Sequence, residues 1–219
     1  KKKLNILFTD QIRNILHRYN PKIIIHCASL ARMKKCEKDK AKAINNNIFG
    51  TFNLVKQILE FQQTKKKKIK LIYISSDAVY PSTKGNYKET SKLGPYNVYG
   101  WTKLSAEFLV KILSDYMIIR TRFYIKKKIN YKYSASDIFT SQIDIEQLPK
   151  YIKFLLKENY NGEINVGGKK ISDFRLYKKI RPKLKAFKRK NLIRNLKFEI
   201  AKDASLNLKN FYKIKRKYE

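Results

Sequence analysis

Three short apolar runs, separated by stretches of helical patterning, constrain this chain more than any other feature. They are "KIIIHCAS" at 22–29, "KLIYISSDAVY" at 70–80 and "MIIRTRFY" at 117–124, and the first two end in small or polar residues. Continuous apolar runs of this length suit strands buried on both faces of a parallel sheet. The segment 10–20 carries Ile12, Ile15, Leu16 and Tyr19 at helical spacing and stops at Asn20-Pro21. A longer helix is predicted over 37–63 from Ala43, Ile44, Ile48, Leu54, Val55, Ile58 and Leu59, interrupted by Gly50, where something must approach the backbone closely. Another is predicted over 97–116. Strand and helix alternating in this way predict an α/β fold, with a parallel sheet covered by helices on both faces.

Beyond Tyr124 the pattern loosens. Residues 125–143 are basic and irregular, 144–159 has helical period, "GEINVGG" reads as a short strand and turn, and Ser172 is placed to cap a following helix. From Arg181 on, the chain is strongly basic and partly periodic. The expected organisation is a first domain over 1–124 and a small basic part over 125–219 interleaved with the sheet.

Composition narrows the function classes. The chain has 219 residues, 43% of them hydrophobic, enough for a sizeable core. No run approaches the roughly 18 apolar residues of a membrane span, and the start has no secretory pattern, so a cytoplasmic protein is expected. Cys27 and Cys36 make no disulfide framework, and His17 and His26 lie in different elements, so no metal site is expected. The formal charge of +34 is mostly lysine spread along the chain. Its densest cluster, "TKKKKIK" at 64–70, reads as a solvated loop. No specific nucleic acid is expected as a partner, although salt-dependent adhesion to polyanions follows from the charge.

In an open parallel sheet, ligands bind beyond the carboxyl ends of the strands. Four features converge there: "HCAS", the segment Asn47–Gly50, "ISSD", and the helix start "PYNVYGWTK", in which Tyr99 precedes Lys103 by four residues. In this order and spacing, "IIIHCAS", "NIFGTFNL" (47–54), "ISSDAVY" and "YGWTK" resemble the extended short-chain dehydrogenase/reductases. The loop "GNYKE", with "GEINVGGKKIS" and "KDASLNLK", is most similar to the dTDP-4-dehydrorhamnose reductase branch, over about residues 4–210.

The resemblance implies a Rossmann-type domain with Ser76, Tyr99 and Lys103 as its catalytic set. Ser76 is chosen over Ser75 because it lies 23 residues before Tyr99, close to the family spacing. It implies NAD or NADP as cofactor, with Ala28, Ser29, Asn47, Tyr99 and Lys103 on the cofactor side. It also implies a nucleotide-linked sugar as substrate, with Ser76 and Asp77 on the substrate side, and leaves room for a homodimer. The chemistry is coherent: a phenol titrating near 10 is a poor acid/base at neutral pH, and an ammonium one helical turn away favours its phenolate.

The sequence departs from the family in one large respect. No GxGxxG or GxxGxxG occurs in these residues, although that turn lets backbone N–H groups reach a pyrophosphate. The chain is therefore expected to lack the family's first βαβ unit. It begins with Lys1 and not Met, so it is expected to be part of a longer protein, and a choice between NAD and NADP is unreadable. Two further readings stand beside the reductase: a sugar-nucleotide epimerase of the same superfamily, and a non-catalytic relative used as a binding or regulatory subunit. The pair Gly167-Gly168 is expected to be a turn, and His26 a packed core residue.

Overall fold

A computed structural model describes residues 4–193 and 198–219; Lys1, where the expected truncation was read, lies outside them. In chain order the helices are α1 Thr9–Tyr19, α2 Met33–Lys38, α3 Lys40–Ile44, α4 Gly50–Lys65, α5 Val98–Val110, α6 Leu148–Lys157, α7 Asp173–Lys178, α8 Arg189–Ile193 and α9 Lys209–Lys215. The strands are β1 Ile23–His26, β2 Lys70–Ser76, β3 Tyr116–Thr121, β4 Phe123–Tyr124, β5 Tyr133–Ala135, β6 Phe139–Thr140, β7 Ile143–Asp144, β8 Gly162–Asn165, β9 Ile171–Ser172 and β10 Lys185–Phe187. They fall into two compact units, Lys1–Ser75 with Val98–Ile119, and Ser76–Asn97 with Arg120–Glu219. The division cuts the carboxyl ends of β2 and β3.

The first unit is an α/β layer. β1 pairs in parallel with β2, with Ile23 opposite Lys70 and His26 opposite Tyr73, and β3 follows β2 in the sheet. Leu71, Tyr73 and Ile118 project into a core filled by Ile12 and Leu16 of α1, Leu54, Val55, Ile58 and Phe61 of α4, and Ala106 and Val110 of α5. The pleat of β2 thus sends alternate residues to these helices. β1 is the terminal strand of the sheet among the described residues, and Ile23 is 43% and Ile25 48% exposed, where the apolar run predicts a strand buried on both faces. The α1 stop is as expected: Asn20 takes a left-handed conformation, φ 43°, and its N–H donates to the Leu16 carbonyl.

The predicted long helix is broken twice. Asp39 accepts from the Lys42 N–H and so caps a new helix, α3. A π-turn over Asn45–Phe49 then leads into α4. The Thr51 hydroxyl donates to the Asn47 carbonyl at 2.7 Å inside this turn, a side-chain insertion of the kind that loosens a helical ladder. Gly50 serves the close approach expected of it, because a Cβ there would lie 2.6 Å from Ile6 Cδ1. Of the lysine cluster only Lys66, Lys67 and Lys68 form a solvated loop, since Thr64 and Lys65 end α4. Ile69 and Lys70 are buried, and Lys70 is paired with Asp115.

The second unit is built from short ladders. β4 pairs with β7 and β5 with β10 in parallel, and β6 pairs with β9 antiparallel. Helices α6 and α9 meet through Tyr151 and Phe211, edge to face at 4.9 Å. Gly167-Gly168 is a point of backbone packing: a Cβ on Gly167 would lie 2.6 Å from the Ser141 carbonyl oxygen. Among the described residues no helix is long and apolar enough to cross a membrane.

Candidate active site

In the first unit, Asn47 is the structural centre of the predicted cofactor side. Its Oδ1 accepts from the Leu30 N–H at 2.7 Å and from the Ser29 hydroxyl at 3.1 Å. Its Nδ2 donates to Thr102 Oγ1 at 2.8 Å and to the Leu30 carbonyl at 3.3 Å. Thr102 in turn donates to the Tyr99 carbonyl. One buried amide therefore ties the loop after β1 to the first turn of α5. Glu37 accepts from the Val98 N–H at 2.8 Å at the start of that helix, where a carboxylate is favoured by the helix dipole. Of the predicted cofactor-side residues, Ser29, Asn47 and Tyr99 are thus linked through a short chain of bonds, and Ala28 adjoins Ser29 along the chain.

Lys103 lies one turn along α5 from Tyr99 and is 2% exposed. Its ammonium donates to the Ile74 carbonyl at 2.7 Å and stands 4.0 Å from the centre of the Tyr73 ring. Burial pushes its pKa down to about 7, against the pull of Glu107 and Cys27. Tyr73 is raised well above its ordinary value, first by burial and then by the neighbouring Tyr99 and Glu107. Tyr99 is half-buried. A lysine ammonium has three donors; one is spent on Ile74, and the remaining capacity suits the vicinal hydroxyls of a ribose. The residues present thus fit the sugar-proximal end of a dinucleotide.

His26 is the packed core residue expected, 3% exposed, with its pKa lowered to about 3 by burial and by Lys103. Its tautomer follows from its neighbour. Thr51 spends its single proton on the Asn47 carbonyl, so at 2.9 Å it accepts from His26 Nε2–H. The adjacent serines on β2 have different fates. Ser75 donates to the fully buried Glu107 of α5.

Ser76 opens the second unit. It is 6% exposed, its hydroxyl donates to Asp77 Oδ1 at 3.2 Å, and it accepts from the Ala78 N–H. Asp77, expected on the substrate side, is 1% exposed, and Arg122 Nε reaches its two carboxylate oxygens at 3.1 and 2.8 Å. Burial lifts the Asp77 pKa against the pull of Arg122. Burial works against the Arg122 charge, but Asp77 and Tyr96 hold it up, and its Nη2 is buried with no hydrogen-bond partner among the described residues. Asp173 flanks the same guanidinium. Burial raises its pKa to about 6, while Gln142 Nε2 donates to it at 2.8 Å.

Sequence reasoning missed Arg122, Asp173 and Gln142. An arginine inside "MIIRTRFY" was the available signal, since a charge in an apolar run needs a buried partner. Substituting Arg122→Leu would leave Asp77 buried and unpaired. It should destabilise the chain by about 3 kcal/mol, with Asp77→Asn in the same chain recovering most of the loss. Urea unfolding measures both, and a single variant as stable as the parent would show that the pair is dispensable.

A parallel sheet, with a helix start bearing Tyr99 and buried Lys103 beside it, defines a Rossmann-like α/β architecture. The comparisons with known proteins agree. The chain belongs to the RmlD substrate binding domain family, whose model matches residues 1–134. Methionine adenosyltransferase 2 subunit beta of Pongo abelii is 33% identical over 105 residues, 48% of this chain and 30% of that protein. The dTDP-4-dehydrorhamnose reductase of Aggregatibacter actinomycetemcomitans is 28% identical over 118 residues, 53% of this chain and 38% of that protein. The matched segments thus span little more than a third of these relatives at most. Among solved structures, a hypothetical dTDP-4-dehydrorhamnose reductase from Sulfolobus tokodaii superposes with a TM-score of 0.82 at 26% identity, covering 97% of this chain and 81% of that one. The Bacillus anthracis dTDP-4-dehydrorhamnose reductase in complex with NADP has the same fold, with a TM-score of 0.83 at 23% identity over 95% and 80% of the two chains.

Proposed function

We propose that this chain contributes the proton-transfer half of an NAD(P)H-dependent reduction of a nucleotide-linked 4-keto-6-deoxy sugar. The observation that carries the reading is the desolvated ammonium of Lys103, with donor capacity to spare, one helical turn from Tyr99. Reduced nicotinamide, when bound, supplies hydride to the ketone carbon. Tyr99 gives its phenolic proton to the ketone oxygen as the charge develops there, and Lys103 stabilises the phenolate left behind. In the second unit, Asp77, fixed by Arg122, holds the hydroxyl of Ser76, the residue read as the substrate-side serine. Asn47 holds the strand-end loop of Ala28 and Ser29 and the start of α5 in one geometry, so that the cofactor side and the acid stay in register. The relatives named as dTDP-4-dehydrorhamnose reductases, one of them in complex with NADP, support the sugar and the cofactor class.

A second reading has its own support, since relatives at 32–33% identity carry the name of a subunit of an adenosyltransferase. In that reading the site residues serve binding and no turnover occurs. The two part on one experiment: NADH and NADPH are titrated into the chain, and the dTDP-linked 4-keto-6-deoxy sugar is then added. The reductase reading expects oxidation of at least one nicotinamide in step with sugar reduction. Binding without oxidation favours the subunit reading, and neither binding nor oxidation at millimolar concentrations defeats the reductase reading for this chain.

A further inference from the structure

Glu107 is wholly buried on α5, 0% exposed, and the proton transfer as written gives it no part. A carboxylate taken out of water is strongly disfavoured unless opposite charge and hydrogen bonds replace the lost solvation. Its position offers both. Tyr99, Lys103 and Glu107 follow one another at four-residue intervals, which sets them along a single stripe of the helix. Ser75 donates to a carboxylate oxygen of Glu107, and the residue before it on β2, Ile74, presents the carbonyl that receives the Lys103 ammonium at 2.7 Å. Two consecutive residues of one strand therefore grip the anion and the cation. Glu107 is steadied by Ser75 in its own right, so it can act on Lys103 without depending on it.

The other groups that face Lys103 among the described residues bring it no full negative charge at neutral pH. Tyr73 of β2, with its ring centre 4.0 Å from the ammonium, has its phenol held protonated by burial. His26, at the end of β1, is neutral, its pKa lowered to about 3 by burial and by Lys103. Burial pushes the Cys27 thiol up against the pull of Lys103. Tyr99 enters the proposed reaction as a phenol and carries charge only after giving up its proton. Lys111 lies a further turn along α5 beyond Glu107 and is exposed. Burial works against the Lys103 charge, and Glu107, ahead of Cys27, opposes it.

We propose that Glu107 is a positioning residue of the proton-transfer pair: its carboxylate is the counter-charge that keeps the Lys103 ammonium charged and docked on the Ile74 carbonyl. The inference rests on the reductase reading and adds a group to the same site. Without that charge Lys103 would be mostly a neutral amine at neutral pH, and a neutral amine does little for the phenolate that Tyr99 leaves behind. A desolvated carboxylate suits the task better than a surface one. The low dielectric that penalises the ammonium also strengthens its attraction to an anion one turn away.

Glu107→Gln tests this, since glutamine keeps the shape and the acceptor for Ser75 and removes only the charge. Circular dichroism checks that the fold survives. The titration of Lys103 is followed by NMR in the full chain carrying isotope-labelled lysine ε-carbons, with the Lys103→Met spectrum identifying the signal. In Glu107→Gln its midpoint should fall by roughly 1–3 pH units, the shift that loss of a close opposite charge produces. Glu107→Asp keeps the charge and should bring the midpoint back to within about half a unit of the parent. Turnover of the dTDP-linked keto sugar by Glu107→Gln should drop roughly fivefold or more at pH 7 and recover as the pH is lowered, because acid restores the Lys103 proton. A midpoint unmoved by Glu107→Gln would overturn the proposal whether or not the chain turns over. So would a midpoint in Glu107→Asp as low as that in Glu107→Gln, since charge would then not be the cause. A loss of turnover uniform across pH would also overturn it, as a carboxylate that merely braces β2 against α5 gives that result. If the parent oxidises no nicotinamide while the midpoint moves as expected, the reductase reading fails and the pairing of Glu107 with Lys103 stands.

Discussion

Replacing Tyr99 with phenylalanine should lower turnover of the dTDP-linked keto sugar by about 10²- to 10⁴-fold, the range a positioned general acid contributes. The change removes one hydroxyl from a half-buried side chain and leaves its ring packing in place. Nicotinamide affinity should therefore stay within a few-fold of the parent, as should the urea midpoint. Loss of turnover with retained binding is the signature of a group acting on the reacting oxygen. If turnover persists at the parent level, the acid is another residue and the assignment of α5 as the proton-transfer helix fails.

Lys103→Met should separate function from stability in the opposite sense. The Lys103 pKa is about 7 in the folded chain, against about 10.4 for an unperturbed lysine. Between these values the unfolded chain holds a proton that the folded chain has released. Stability from this group therefore rises with pH across the window from about 7 to 10, and the cost of burying the charge is fully felt below it. Methionine, similar in length and without charge, abolishes that dependence. The unfolding free energy of the parent relative to the variant should thus climb as pH rises from 7 to 9, by at most about 1.4 kcal/mol per pH unit. At pH 7 the variant should be no less stable than the parent while losing turnover. A difference that stays flat with pH would mean that Lys103 is not desolvated as its surroundings indicate.

The fold was largely legible because the two periods are strong. The apolar runs mark β1, β2 and β3, and the 3.6-residue spacing of Ile12, Leu16, Leu54 and Ile58 marks α1 and α4. What failed to show has physical causes at particular residues. A run of isoleucines reads the same in a central and an edge strand, so the run by itself does not place Ile23 and Ile25 at an exposed edge; the missing Gly-rich turn was the signal for an open edge. Asp39 looks like an ordinary polar residue of a long helix, and its capping of Lys42 is a matter of geometry. The third strand run stops at Thr121 in the sheet, and the next residue, Arg122, turns to Asp77, a partner 45 positions away. For the proposed site, the signals the sequence offers are the register of Tyr99 and Lys103 on one helix and the order and spacing of Ser76. The burial that depresses the Lys103 pKa belongs to packing by β2, which no local pattern encodes.

The run of three asparagines at 45–47 also has a meaning for how such a chain can drift. Asn45 is exposed, and Asn46 makes a single bond to the Lys42 carbonyl on its own helix, so many polar residues could stand in for either. Asn47 must accept twice through one atom and donate twice through another in the same side chain. Aspartate lacks the donors and glutamine carries an extra carbon. Three identical letters therefore sit under unequal constraint, and a compositional bias toward asparagine can flood the first two positions while the third is held by chemistry alone.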